Sequence, residues 1–425
     1  MNNLNRVWNP QVQHLRVLVN TAHMTRTRLV FKDDLLDAQT LRAIGSAPYG
    51  GADVGEALTA ARAVHGEDLD SWYTAWLDVA DRVFDLANVA AAAGRTETAR
   101  LAYWRASSYY RTAGVMFIAA PLDDRLVSST QRQTESFQLG AELMAMPPEI
   151  VAIPYLDTTL PGYFFRVDDD PRPRPTVIVT GGYDGTKEEL YFYNVAAALA
   201  RGYHALAFDG PGQGAVLLEQ KLPMRADWET VITPVLDFVL ARPEVDPARV
   251  ALIGASLGAH LAPRAASAEH RLAACVADCG VYDMYAGFVS RLPGPLRSGF
   301  EQGHHTATAA VREMLDAVAK KPIAGWSIRR GMLVHDVATP LDYVEATKPF
   351  SLAGRAAEIR CPTFVCNGEN DPISASAPEL VAALTCEHEF VTFTAAEGAG
   401  DHCESGARTL FHARAFDWLD SYLKP

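Results

Sequence analysis

The stretch Val250-Ala251-Leu252-Ile253-Gly254-Ala255-Ser256-Leu257-Gly258-Ala259-His260 constrains this chain more than any other. An apolar run that reads as a buried strand meets Gly254, Ser256 and Gly258, and an Ala-rich run that reads as a helix follows. A strand that reverses straight into a helix leaves almost no room beside the turn, so small residues must bracket the serine. This is the pattern of a nucleophile elbow, which presents the hydroxyl at the tip of the turn beside helix backbone N–H groups. The competing reading is a plain strand-to-helix turn whose serine only caps the helix.

The remaining strands fit that frame. From Thr176-Val177-Ile178-Val179-Thr180 onward, short apolar runs at 203–208, 250–253, 274–277, 363–366 and 389–394 alternate with helical stretches. Such spacing predicts a mostly parallel sheet with helices on both faces, and these sheets gather ligand sites at the carboxyl ends of their strands. Before it, 151–155 and 162–167 alternate like an antiparallel pair, with Pro161-Gly162 as the turn signal between them.

Candidate residues stand at the strand ends. After Thr180 comes Gly181-Gly182-Tyr183-Asp184-Gly185, and the backbone N–H groups of Tyr183 and Leu257 are assigned as oxyanion donors, the alternative for this loop being a turn that needs glycine only for its positive φ. Asp209, in Asp209-Gly210-Pro211-Gly212, reads as a turn-stabilising carboxylate, and its glycines lack the spacing of a phosphate loop. After Cys366, Asn367-Gly368-Glu369-Asn370-Asp371-Pro372 offers Asp371 where a triad acid should sit, with Glu369 as its competitor. His402 arrives on the Gly-rich loop after the last strand, so the order is Ser256, Asp371, His402. The chemistry needs all three types. A serine hydroxyl attacks only when a neutral imidazole takes its proton, and a carboxylate orients and stabilises the imidazolium that forms.

Residues 1–148 contain no convincing strand. Two helical stretches, 72–93 and 98–119, form a hairpin about the turn Ala91-Ala92-Ala93-Gly94-Arg95. The aromatics Tyr103, Trp104, Tyr109 and Tyr110 read mostly as core, with a ligand pocket as the alternative. One such pair without a second copy does not make a helical repeat array. The expected organisation is a helical cap over 1–148 and a catalytic α/β domain over 149–425. A helical insertion at about 281–350 is broken at Pro293-Gly294-Pro295 and Lys321-Pro322. Asp278 and Asp283 open this insertion as helix cap, surface carboxylate or extra acid.

Composition narrows the partners. Of 425 residues, 49% are hydrophobic, enough for a large core, and the net charge of -13 argues against nucleic acid or an anionic membrane. Met1 to Trp8 lacks the apolar core of a signal peptide, and no run approaches about 18 apolar residues, so a cytoplasmic location is expected. The six cysteines form no C-x-x-C pair, which disfavours zinc and a disulfide framework; no metal or cofactor is expected. Cys403 beside His402 is a poor thiol nucleophile candidate, because loop neighbours usually point different ways.

Several segments together resemble an α/β-hydrolase family that includes the dihydroxypseudooxynicotine hydrolases of nicotine breakdown, fungal hydrolases that shorten polyketide chains, and FrsA-like proteins. They are Arg105-Ala106-Ser107-Ser108-Tyr109-Tyr110, Thr159-Leu160-Pro161-Gly162-Tyr163, Gly181 to Leu190, Gly254 to Ala259, Arg330-Gly331-Met332 and Gly398 to Cys403. The resemblance implies an α/β-hydrolase fold under an N-terminal helical lid, a homodimer as in some members, and Ser256, Asp371 and His402 as triad, favouring Asp371 over Glu369. Members cleave a carbon-carbon bond next to a ketone, and the nicotine-pathway enzymes add a glutamate whose nearest counterparts here are Asp278 and Asp283. Asp283 is the candidate auxiliary acid. Val334-His335-Asp336-Val337 departs from the family's Phe-Gly-Val at that point.

The expected activity is serine-dependent hydrolysis of a small or medium aromatic or polyketide-like ketone or ester. An esterase or thioesterase, and an acyltransferase, lyase or cyclase with the same triad, are the alternatives. A serine peptidase and a silent binding protein are more distant.

Overall fold

The computed structural model describes residues 28–424, so the Met1 to Trp8 segment lies outside the described residues. Among the described residues five α-helices come first: α1 (Asp34–Ile44), α2 (Val54–Ala63), α3 (Leu69–Ala92), α4 (Thr96–Val115) and α5 (Asp124–Glu142). Asp33, Asp53, Asp68 and Asp123 cap four of them, each carboxylate accepting backbone N–H groups of the first turn. The α3–α4 turn carries Gly94 at φ +68°, as the hairpin reading requires. The aromatics of α4 are core: Trp104, Tyr109 and Tyr110 are buried, and the two tyrosine hydroxyls donate to Glu56 and Asp81.

Eight strands follow as one sheet in the order β1-β2-β4-β3-β5-β6-β7-β8. They are β1 (Glu149–Tyr155), β2 (Thr158–Phe165), β3 (Arg174–Thr180), β4 (His204–Phe208), β5 (Val245–Ala255), β6 (Ala274–Asp278), β7 (Thr363–Gly368) and β8 (His388–Phe393). β1 and β2 pair antiparallel, β2 joins β4 antiparallel, and every later pair is parallel. The central strands are buried on both faces, which is why they read as continuous apolar runs.

The turn between β1 and β2 is not where Pro161-Gly162 suggested. Tyr155 pairs with Thr158, so Leu156 and Asp157 make the turn, with Leu156 at φ +48°. Pro161 and Gly162 lie inside β2. A Cβ on Gly162 would stand 2.8 Å from the Ala207 carbonyl oxygen, so glycine there serves close strand approach.

Between β6 and β7 run the helices Met284–Val289, Gly294–Glu301, His305–Ala319, Trp326–His335 and Pro340–Ala346. This inserted segment packs on the N-terminal helices: Trp326 and Ile323 join their core, and the Trp326 indole donates to the Val115 carbonyl. On the other side α1 abuts the His402 loop, where a Cβ on Gly45 would fall 2.2 Å from the Ser405 carbonyl oxygen.

Candidate active site

Ser256 sits at the end of β5 with φ +62°, in the left-handed region that non-glycine residues seldom occupy. Its neighbours explain how the chain holds it there. A Cβ on Gly254 would lie 1.9 Å from the Gly258 carbonyl oxygen, and one on Gly258 would lie 2.6 Å from the Thr180 oxygen and 2.8 Å from the Gly181 oxygen. Only glycine lets the β5 turn close against the end of β3. The Ser256 N–H donates to the Asp278 carbonyl, tying the turn to β6 as well.

His402 and Asp371 meet Ser256 in one line. His402 Nε2 is 2.9 Å from Ser256 Oγ, and His402 Nδ1 is 2.8 Å from Asp371 Oδ2. The other Asp371 oxygen accepts the Ile373 N–H at 3.0 Å. Glu369, the competitor, faces away: it is exposed, and its carboxylate accepts the Ala395 N–H at 2.7 Å.

Charge follows from this arrangement. Burial disfavours ionised Asp371, yet the His402 ring and the Cys279 and Ile373 donors hold its carboxyl below the usual range. Burial likewise disfavours the His402 imidazolium, but Asp371 and the Cys403 sulfur raise its pKa well above the ordinary value.

Tyr183 and Leu257 flank the serine from two directions. A Cβ on Gly182 would lie 2.9 Å from the Leu257 nitrogen and 3.1 Å from Ser256 Oγ, so the loop after β3 runs directly beside the elbow. The Tyr183 hydroxyl is 2.7 Å from Nε2 of buried His335, giving this departure from the family pattern a place beside the loop after β3.

Asp283 is not brought to this line. Its carboxylate caps the helix Met284–Val289, accepting the Ala286 N–H at 2.7 Å. Asp278 is fully buried and ion-paired to Arg408 at 2.7 Å, with Glu404 also on that guanidinium at 3.3 Å. Neither carboxylate hydrogen-bonds Ser256 or His402. Asp209 accepts the Lys187 and Ala215 N–H groups, as a turn-stabilising carboxylate does.

Two features escaped the sequence reading. Asp184, next to Tyr183, is buried and held by Arg42 at 3.0 Å, while Arg42 also grips Glu189 at 2.6 Å. Arg111 donates to the Asp184 carbonyl, so α1 and α4 fasten the loop that carries Tyr183. No local motif signals this contact, because its partners stand far apart in the chain. The second feature is sulfur. Cys279 donates to Asp371 Oδ2 at 3.0 Å and accepts the Cys403 N–H at 3.0 Å, and Cys403 Sγ is 3.7 Å from His402 Nε2. Burial pushes the Cys403 thiol up, but the Cys279 hydrogen bond and the His402 charge bring it down to about 7.

The alpha/beta hydrolase family model matches residues 176–413. The 20-hydroxy-prefusarin hydrolase FUS2 of Gibberella moniliformis is 36% identical over 410 residues, covering 92% of this chain and 97% of that protein. The hydrolyase poxO of Penicillium oxalicum is 32% identical, over 92% of this chain and 98% of its own. Among solved structures, the 2,6-dihydroxy-pseudo-oxynicotine hydrolase superposes with a TM-score of 0.71 at 23% identity, over 90% of this chain and 96% of that one, which is a likeness of fold. The strand order, the glycine-bracketed turn at Ser256 and these matches agree: the chain belongs to the alpha/beta hydrolase family.

Proposed function

We propose that the chain is a serine hydrolase acting on a small or medium aromatic or polyketide-like ketone or ester. The observation that carries this reading is the Ser256–His402–Asp371 line, with hydrogen-bond distances of 2.9 and 2.8 Å. Ser256 Oγ attacks the substrate carbonyl while His402 Nε2 takes its proton, and Asp371 steadies the imidazolium. The backbone N–H groups of Tyr183 and Leu257 receive the oxyanion, a contribution of about 2.7–4 kcal/mol per donor in enzymes of this kind. His402 then protonates the leaving group, and water attacks the acyl-serine by the reverse route.

The helices over residues 34–142 and the insertion act in this reading as a lid, since they pack on each other and on the Tyr183 loop. Carbon-carbon cleavage asks more than ester hydrolysis, because a carbanion leaves and needs a proton or delocalisation. With Asp283 engaged as a cap, a β-dicarbonyl or phenolic ketone that delocalises the charge itself suits the site better than an unactivated ketone. The fungal hydrolases among the relatives support a natural-product substrate. A cytoplasmic homodimer completes the proposal, with sedimentation velocity as its check.

The test is intact-mass spectrometry of wild type and Ser256→Ala after a fluorophosphonate probe, with and without a panel of aromatic ketones, esters and thioesters. One adduct on wild type, absent from Ser256→Ala and suppressed by one panel member, supports the nucleophile and names the substrate class. No adduct on folded wild type overturns the activated serine.

A further inference from the structure

The loop that delivers His402 brings one thiol with it, Cys403, and sets it beside a second, Cys279. Cys279 follows β6 and Cys403 follows His402 in sequence, and both side chains are buried. Their two sulfurs and one His402 ring nitrogen lie within 4.8 Å of one another. Cys279 Sγ is 3.4 Å from His402 Nδ1, and Cys403 Sγ is 3.7 Å from Nε2.

We propose that Cys279, Cys403 and His402 form an inhibitory binding site for a thiophilic divalent cation of the Zn2+ type. Zinc takes sulfur at about 2.3 Å and imidazole nitrogen at about 2.0–2.1 Å, so the ligand atoms of a tetrahedral site stand about 3.5–3.8 Å apart. The three donors, within 4.8 Å of one another, close on one ion with shifts of about 1 Å. Two thiolates and one imidazole are the donor set that soft metals select over hard ones. The His402 side chain is 30% exposed while the sulfurs are not, so an ion enters past His402 and keeps its fourth position for water. Binding releases the two thiol protons to solvent, transfers no electron, and occupies one His402 ring nitrogen. Each of these nitrogens already has a partner in the Ser256–His402–Asp371 line: Nε2 meets Ser256 and Nδ1 meets Asp371.

A neighbouring trio, Asp278, Cys279 and Glu404, does not compete. The Arg408 guanidinium already stands on both carboxylates, occupying the place a cation would take.

The effect on activity rests on the hydrolase reading, whereas binding does not, and the experiment separates them. Reduced full-length wild type, Ser256→Ala, Cys279→Ser, Cys403→Ser and the control Cys386→Ser are titrated with Zn2+ by calorimetry. The same proteins are titrated with Co2+, following sulfur-to-metal charge-transfer absorption. The proposal expects one ion per chain with a thiolate band in wild type, Ser256→Ala and Cys386→Ser, and loss of both signals in Cys279→Ser and Cys403→Ser. Thermal unfolding of each variant confirms that it is folded. Absence of stoichiometric binding to wild type, or unchanged binding in a folded Cys403→Ser or Cys279→Ser, overturns the site. Nitrophenyl acetate turnover is then measured with Zn2+ and after chelation. Ser256-dependent turnover that persists with the site filled overturns the inhibition. Binding without any Ser256-dependent turnover leaves the metal site standing and refutes the hydrolase reading.

Discussion

The carboxylate that serves His402 is open to a direct test by Asp371→Asn. Asp371 is 5% exposed and each of its oxygens has work: Oδ2 accepts from the Cys279 thiol and faces His402 Nδ1, and Oδ1 accepts the Ile373 N–H. An amide has one oxygen and one NH2, so it cannot fill both roles. With its NH2 toward His402 it forces Nδ1 to accept and puts the proton on Nε2, the wrong tautomer for a base. That state costs about 10⁴ in kcat in the Ser-His-Asp proteases, about 5.5 kcal/mol. With its oxygen toward His402 the NH2 confronts the Ile373 N–H, and a buried donor without an acceptor costs about 1–3 kcal/mol. The observed loss follows the better of the two arrangements weighted by how much activity it permits, and we expect kcat/KM to fall at least about 100-fold. Glu369→Gln, by contrast, alters an exposed acceptor of the Ala395 N–H and leaves kcat/KM within about twofold. Stopped assays of nitrophenyl acetate release, with fluorophosphonate labelling as an independent readout, measure both variants. Retention of more than about a tenth of wild-type kcat/KM in Asp371→Asn, or an equal loss in Glu369→Gln, refutes the assignment.

The other predictions follow from single contacts. In the proposed mechanism neutral His402 is the base, and its pKa is raised, so kcat/KM is expected to fall with acidification at a midpoint above the ordinary value of about 6.5; Cys403→Ser moves that midpoint down in a pH-rate profile. Gly258→Ala drives a methyl group into the Thr180 and Gly181 carbonyls, so it abolishes probe labelling and lowers the thermal midpoint. Arg408→Met leaves Asp278 and Glu404 facing each other in the interior and costs about 3–5 kcal/mol, read as a shift in the urea midpoint. Asp283→Ala removes a helix cap, costing about 1 kcal/mol of stability and less than about twofold in kcat/KM; a loss of several hundredfold would restore it as the auxiliary acid.

The sequence determined what chain-local physics enforces. A buried parallel strand must be apolar throughout, and a strand-to-helix reversal must be bracketed by glycine, so the central strands β3 to β7 and the Ser256 turn were legible from residue types alone. His402 and Asp371 were legible as loop residues at strand ends, because a parallel sheet collects those ends along one edge. The choice between Asp371 and Glu369 was not. Both lie on one short loop, and which carboxylate meets His402 depends on how the β7 and β8 loops pack. Pro161-Gly162 misled because glycine serves close strand approach as well as turns, and only the register with β4 separates the two uses. The tertiary structure alone decided that Asp278 is consumed by Arg408, that Arg42 and Arg111 clamp the Tyr183 loop, and that Cys279 and Cys403 flank His402. Each of those contacts joins segments distant in sequence, and no periodicity or spacing along a chain records which distant side chains share a buried site.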